Sequence, residues 1–297
     1  MKNKLLFLVT GILFFSTTIF AQGECVTGDC ANGTGTYNYE SGDKFEGTFT
    51  DGKPHGKGVY TFKDGNKYDG DFVEATMEGN ATMTYENGNI YVGEFKANAK
   101  TGKGKMTFSS GSIYEGDWVD NRREGKGKYT IFSKGRNIGT YEGSFIDDKM
   151  ETLEGETATF TYESGNVYIG EYQNNKRNGL GKMTYSDGKV YEGRFVKNKM
   201  ETIEGETATY ISELGKYVGE FKDNAKSGKG TLTFENGNEY EGDFVDNQLI
   251  GKGKLKLTNG DIYEGDFVNG KFEGQGTYTF ANGEVKSGNW KDGQLEE

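Results

Sequence analysis

The stretch Tyr114-Glu115-Gly116-Asp117-Trp118, with its continuation Gly125-Lys126-Gly127-Lys128-Tyr129, alternates aromatic residues or glycines with charged residues. A period of two is that of a β-strand, whose successive side chains point to opposite faces; a helix would need apolar residues three and four apart. Tyr114, Gly116 and Trp118 therefore share one face of a short strand, and Glu115 and Asp117 share the other. The second segment repeats the pattern, so the pair reads as a hairpin with one apolar face.

The same text recurs along the chain. An aromatic-x-Gly-x-aromatic unit starts at Phe45, Tyr68, Tyr91, Tyr114, Tyr141, Tyr168, Tyr191, Tyr217, Tyr240 and Tyr263, and a degenerate last copy reads Lys286-Gly288-Trp290. Numbering each repeat from its first aromatic residue, glycines follow at positions 12 and 14, apolar residues at 16 and 18, and a turn glycine at 21, as in Gly102, Gly104, Met106, Phe108 and Gly111. Regular self-similarity of this kind marks a stacked array rather than a globular enzyme. Glycines at positions 3, 12 and 14 read as slots for a neighbouring ring, and Asn87-Gly88, Asp187-Gly188, Asn236-Gly237, Asn259-Gly260 and Asn282-Gly283 read as two-residue turns with positive φ. A lone hairpin is marginal in water, so neighbours must stack; at about 4.8 Å per strand, the array is expected to be a curved rod roughly 100 Å long.

Composition agrees. Of 297 residues, 48 are glycine and one is proline, and only 33% belong to the hydrophobic set, while 19 Tyr, 20 Phe and 2 Trp supply ring area. That is lean for a deep globular interior and suits a thin sheet. The formal charge of -11 disfavours nucleic acid and anionic lipid, because Arg122-Arg123 and Lys176-Arg177 are isolated basic pairs.

The first residues differ in kind. Met1-Lys2-Asn3-Lys4 is a basic head, residues 5–20 are largely apolar, and Ala21-Gln22 offers a cleavage point, so residues 1–21 read as a secretory signal peptide. The alternative is an uncleaved membrane anchor. The expected location is secreted or periplasmic. Residues 22–44 form an N-terminal cap with a half repeat, and residues 45–297 form the array. Cys25 and Cys30 are the only cysteines; in an oxidising compartment they are expected to close a local disulfide.

Two units depart from the rule. Residues 148–159 and 198–209 carry nearly the same longer text, including Glu151-Thr152-Leu153-Glu154-Gly155-Glu156 and Glu201-Thr202-Ile203-Glu204-Gly205-Glu206. They are expected to project from one edge, as tolerated insertions or as flanks of a binding surface. A further insertion, Ser133-Lys134-Gly135-Arg136-Asn137, is expected to enlarge the opposite turn.

Catalysis has little to work with. The only histidine, His55, falls in an apparent turn, no zinc or iron ligand set is present, and the glycines do not lead into a phosphate-binding helix. No cofactor is expected. Carboxylate pairs such as Glu115/Asp117, Glu241/Asp243 and Glu264/Asp266 leave a glycan-cleaving enzyme as a remote reading, although an open sheet gives such acids no enclosure.

Tyr-x-Gly-x-Phe followed by Gly-x-Gly, over essentially everything after residue 21, closely resembles the MORN repeat. The resemblance implies an all-β, elongated solenoid of stacked antiparallel hairpins with a groove. It also implies scaffolding, dimerisation or membrane apposition rather than chemistry, and the acidic balance departs from lipid-binding examples. The function expected is a non-catalytic envelope or extracellular scaffold that engages a protein or surface polymer; a structural spacer or homotypic assembly module is the alternative. Tyr91, Phe95, Tyr114, Trp118, Tyr240, Phe244, Tyr263, Phe267 and Trp290 are the candidate stripe residues, with solvent-facing edges expected to line any groove.

Overall fold

The computed structural model describes residues 23–297, so the segment read as a signal peptide lies outside the described residues. The described residues fall into two compact units that divide between Glu86 and Asn87. In the described part of the first, six strands from Gly23–Gly28 to Thr76–Thr84 each pair antiparallel with the next in sequence. The second unit has the same antiparallel pairing from Ile90–Lys96 to Gln294–Leu295, except that Arg136–Ile146 and Val190–Val196 each pair both with a two-residue strand and with the strand beyond the following loop. All described regular structure is β: the fold is a solenoid of stacked antiparallel hairpins, as the period of two requires.

Register explains the repeat. Tyr91 lies opposite Met106 and Gly93 opposite Gly104; the ladder then shifts, so that Glu94 meets Thr101 and Phe95 meets Lys100. Gly102 and Lys103 are the extra residues of a β-bulge, and bulges recur at the same place in other repeats.

The bulge corrects the expectation for position 12. Gly93 and Gly104 are packing slots: an added Cβ would lie 2.5 and 2.3 Å from the Tyr91 hydroxyl. Gly102 is instead a conformational glycine with φ of 58°, and its Cβ would meet the Glu94 carboxylate, not a ring. One glycine clears the core and the other permits the chain to kink.

Turns were also exchanged. Residues 108–112 close through Gly111 N–H to Phe108 C=O and Phe108 N–H to Ser112 C=O, a three-residue loop in which only the glycine has positive φ. The Asn-Gly sites follow the same pattern, as at Gly237 and Gly260. The two-residue turns with both φ positive lie at the other end of the hairpins, at Asp120-Asn121, Asn174-Asn175, Asp223-Asn224 and Asp246-Asn247. Asn and Asp tolerate this left-handed region better than most side chains.

The asparagine side chains have a second task. Asn121 Oδ1 accepts from Lys100 N–H at 2.9 Å, and Asn198, Asn224 and Asn247 do the same for Arg177, Met200 and Lys226. Each links a turn to the preceding repeat. Where that preceding residue is Pro54, which has no N–H, the turn residue is Ala75.

The 133–137 insertion does not enlarge a turn. Lys134-Gly135 is a two-residue turn, and the extra length goes into the strands Arg122–Ser133 and Arg136–Ile146. The longer pairing takes up one extra residue, Ile138, as a bulge opposite the Ile131–Phe132 step.

The core of the second unit is a zigzag of rings. Tyr114 meets Trp118 of its own strand at 5.3 Å and Phe145 of the next repeat at 5.0 Å, both edge to face; Tyr191 and Tyr240 repeat the arrangement with Phe195/Phe221 and Phe244/Phe267. Such pairs add about 0.5–1.5 kcal/mol each beyond area burial. Buried phenols keep a partner: Tyr114, Tyr191 and Tyr240 hydroxyls donate to the carbonyls of Asp117, Arg194 and Asp243 at 2.9, 2.7 and 3.1 Å. Position 10 covers the stripe, as where the Arg123 guanidinium lies over Tyr114, Tyr129 and Phe145.

Burial of these phenols predicts alkaline behaviour. Tyr240 is pushed up to about 12, first by desolvation and then by Asp243, and desolvation likewise raises Tyr114 and Tyr191. The unfolded chain releases these protons near the ordinary tyrosine value of about 10, so the folded state binds more protons in between and stability falls as pH rises through that window. Ultraviolet titration is expected to show these phenolates only together with loss of the β signal; independent ionisation of folded tyrosines near the ordinary value would contradict the packing.

Candidate binding face

The nine candidate rings belong to the structural stripe. Tyr91, Tyr114 and Tyr240 are 0% exposed, and Trp290, the most accessible of the nine, is 7% exposed. Their edges do not line a groove, which corrects the expectation that they would. A ring at position 1 or 5 is enclosed by neighbouring rings and by the glycine slots, so it has no edge to give to solvent.

The opposite face is where a partner can reach. There, in the second unit, an open groove of ≈ 980 Å³ runs over the glycine rows from Gly219 to Gly288, flanked by Lys229, Glu241, Lys252 and Glu264. A smaller one of ≈ 480 Å³ is lined by residues including Gly155, Ile169, Leu180, Lys182 and Glu192. No aromatic residue lines either groove.

The acids on this face have structural partners. Asp117 accepts from Lys126 N–H, the residue after the bulge glycine Gly125, at 3.0 Å, and Glu94, Glu171 and Glu220 do the same for Lys103, Leu180 and Lys229. The position-4 carboxylate therefore satisfies a donor near the bulge glycine. It also takes a lysine from the preceding repeat, as in Lys103–Asp117 at 2.5 Å and Lys252–Asp266 at 2.7 Å. Position-2 acids pair similarly, Glu115 with Lys105 at 2.6 Å and Glu264 with Lys254 at 3.4 Å. Exposed pairs of this kind stabilise by about 0–1 kcal/mol each, yet they orient both carboxylates across an open sheet rather than into a pocket. His55 lies within the strand Lys53–Thr61 and not in a turn, which is Asp51-Gly52. Among the described residues no cluster of three or more metal-ligating side chains occurs.

The two longer loops replace the bulge. After Lys149–Met150 and Lys199–Met200, residues 151–157 and 201–207 stand over the polar face instead of projecting from an edge. In these repeats position 4 is Ser144 or Arg194 instead of an acid, and the loop supplies the missing carboxylate. Glu156 accepts from Ser144 Oγ and Lys126 Nζ, both at 2.6 Å, and Glu206 receives a bidentate pair from Arg194 at 2.7 Å. These partners hold both carboxyls below the ordinary glutamate range, Glu156 chiefly through Lys126 and Glu206 chiefly through Arg194. Thr152 and Thr202 fix the loop bases, each exchanging hydrogen bonds through its hydroxyl with the backbone of Tyr172 or Phe221. The duplicated text thus encodes anchored loops. Their tips leave Leu153 and Ile203 about half exposed.

At the N-terminal end, Cys25 and Cys30 are joined by a disulfide beside the pairing of Gly23–Gly28 with Thr34–Tyr39. The link closes a short loop at the outer hairpin of the first unit.

Stacked hairpins, a buried ring zigzag and a charged open face define a β-repeat array. More narrowly, the chain belongs to the MORN-repeat family: the family's model matches residues 45–67, 68–90, 91–113, 114–136, 168–190, 217–239, 240–262 and 263–285, more than half of the chain. The unmatched intervals include the two repeats that hold the longer loops. MORN repeats are in general non-enzymatic modules that mediate protein or membrane interactions. Among curated proteins none matches the chain. Similar solved structures include the TCP10 domain of Danio rerio CPAP (9% identity, 80% of this chain and 95% of that one, TM-score 0.24). The SAS-4 (dCPAP) TCP domain of Drosophila melanogaster, in complex with a proline-rich motif of Ana2, covers 79% of this chain and 90% of its own at 14% identity and a TM-score of 0.17. A streptogramin B lyase matches at 12% identity, 91% and 87% coverage, and a TM-score of 0.15. At these scores none carries an argument about function.

Proposed function

We propose that the chain is a non-catalytic scaffold of the cell envelope or exterior, which binds a protein partner on its glycine-floored polar face. The observation that carries this is the division of labour between faces: the rings are enclosed, whereas the grooves lie open and lined by Lys, Glu, Thr and a few aliphatic side chains. A saccharide would find no ring to stack on there, which favours a protein over a surface polymer. The envelope location rests on the basic, then apolar, head of the sequence.

Photo-crosslinking residues placed at Lys252 and Glu264 test the reading in the protein's own cells. Adducts to specific envelope proteins are expected from these groove positions, with the chain itself in the envelope or exterior fraction. Absence of adducts at both positions, or a chain confined to the cytoplasmic fraction, would overturn it.

A further inference from the structure

The segment between the two loops is chemically unlike the rest of the face. In other repeats of the second unit, positions 2 and 13 carry Glu115 and Lys126, Glu241 and Lys252, or Glu264 and Gln275, and where position 2 is valine, at Val92 and Val218, position 13 is Lys103 or Lys229. Only the repeat beginning at Tyr168 has apolar residues at both, Ile169 and Leu180, and they are 48% and 55% exposed. Both line the ≈ 480 Å³ groove, together with Gly155, Glu156 and Thr157 of the first loop.

Leu180 has a local reason to lack charge: it lies opposite Arg194, which would repel a lysine. Ile169 has none. It lies opposite Lys182, as Glu115 lies opposite Lys128, so a glutamate there would gain a favourable cross-strand partner. Val92 is likewise exposed opposite Lys105, so it is the juxtaposition of exposed Ile169 with exposed Leu180 in one groove that points to a use outside the fold.

We infer that Ile169, Leu180 and the two loop tips form a docking site for a basic polypeptide segment whose apolar side chains alternate with Lys or Arg; this rests on the scaffold reading above. The length of the segment follows from the loops, which stand in strand positions separated by three others, Val167–Gln173, Lys176–Thr184 and Val190–Val196. Four strand spacings make about 19 Å, the length of roughly six extended residues. The sign follows from the acids. Glu154 and Glu204 at the tips are exposed and make no ion pair or hydrogen bond among the described residues, and Glu171 lies in the groove, its carboxylate accepting from Leu180 N–H. Lys182 is the one basic residue in the lining, and it is paired with Glu192 at 3.5 Å. The site is therefore apolar at its floor and negative at its ends, complementary to cationic side chains flanking aliphatic ones.

Fluorescence polarisation with the full chain and a labelled peptide of alternating leucine and lysine tests the site. The peptide is expected to bind, to weaken with added salt, and to lose about tenfold in affinity against Ile169→Thr with Leu180→Thr. That double substitution leaves net charge unchanged and keeps β-branched polar residues on the strands, and an unaltered thermal midpoint verifies the fold. Glu154→Gln with Glu204→Gln is expected to weaken binding and flatten its salt dependence. No binding, equal binding to the Thr/Thr variant, or equally tight binding of a leucine–glutamate peptide would overturn the proposal. So would a dimer in sedimentation that the Thr/Thr variant dissociates, because a second copy would then be the occupant. If crosslinks from Lys252 and Glu264 persist while the Thr/Thr variant still binds the peptide, the docking site fails and the scaffold reading stands.

Discussion

Gly253→Val is expected to lower stability by about 3 kcal/mol, at the upper end of the usual cost of overpacking. The first carbon added would lie 2.5 Å from Tyr240 Cε2 and 2.6 Å from its hydroxyl. The ring cannot swing aside, because Phe244 and Phe267 contact it on either side. Alanine should cost much less: the same slot holds Ala81, Ala158 and Ala208 in three other repeats, each buried. Valine carries two methyls beyond the one carbon that these alanines show to be accommodated. Gly188→Asn is the comparison, because Gly188 has φ of 89° and open space beyond it. Asparagine tolerates that conformation, so the loss there is expected to be about 1 kcal/mol or less. Chemical denaturation of the three variants checks the order; a valine variant as stable as the parent would show that position 14 is not a packing slot.

Tyr240→Ala carries an expected loss of about 3–5 kcal/mol, the range for removing a large buried aromatic side chain. The ring is 0% exposed, meets Phe244 at 5.3 Å and Phe267 at 5.0 Å, and donates its hydroxyl to Asp243 C=O. Since each repeat of an array contacts only its neighbours, the damage should stay local and divide the transition. Hydrogen exchange is expected to accelerate around residues 228–267 first, leaving the strand Ile113–Val119 protected. Uniform acceleration across the second unit would mean that the stack is more cooperative than its nearest-neighbour ring contacts imply.

Strand type, repeat boundaries and the common face of the rings were legible because a period of two constrains every residue of a short strand. Position 12 was not. Gly102 and Gly104 look alike in the sequence, yet a two-residue bulge at Gly102 and Lys103, opposite the Gly93–Glu94 step, makes one a kink and the other a clearance. The signal was present as an acid at position 4, Glu94 or Asp117, whose carboxylate receives the N–H that follows the bulge glycine. Turn chemistry misled in the same way: Asn-Gly marks the three-residue loops, while Asp-Asn and Asn-Asn mark the tight ones, because the side chain of Asn121 or Asn247 also bonds the preceding repeat.

The candidate binding face was harder to see. Attention to aromatic residues pointed at the stripe, which the fold encloses. The informative residues were departures from the repeat: Ser144 and Arg194 where an acid belongs, with Glu156 and Glu206 supplying it from the loops, and Ile169 with Leu180, apolar at both positions 2 and 13 of one repeat. All of these departures stand in the columns of the repeat itself.

Nitration of the native chain, followed by peptide mass spectrometry, measures directly whether the ring ladder is closed to solvent. Tyr91, Tyr114, Tyr141, Tyr168, Tyr191, Tyr217 and Tyr240, all 0% exposed, are expected to remain unmodified until the chain unfolds. Their modification in the folded chain at the rate found in denaturant would place the rings at the surface, and with them the partner-binding face.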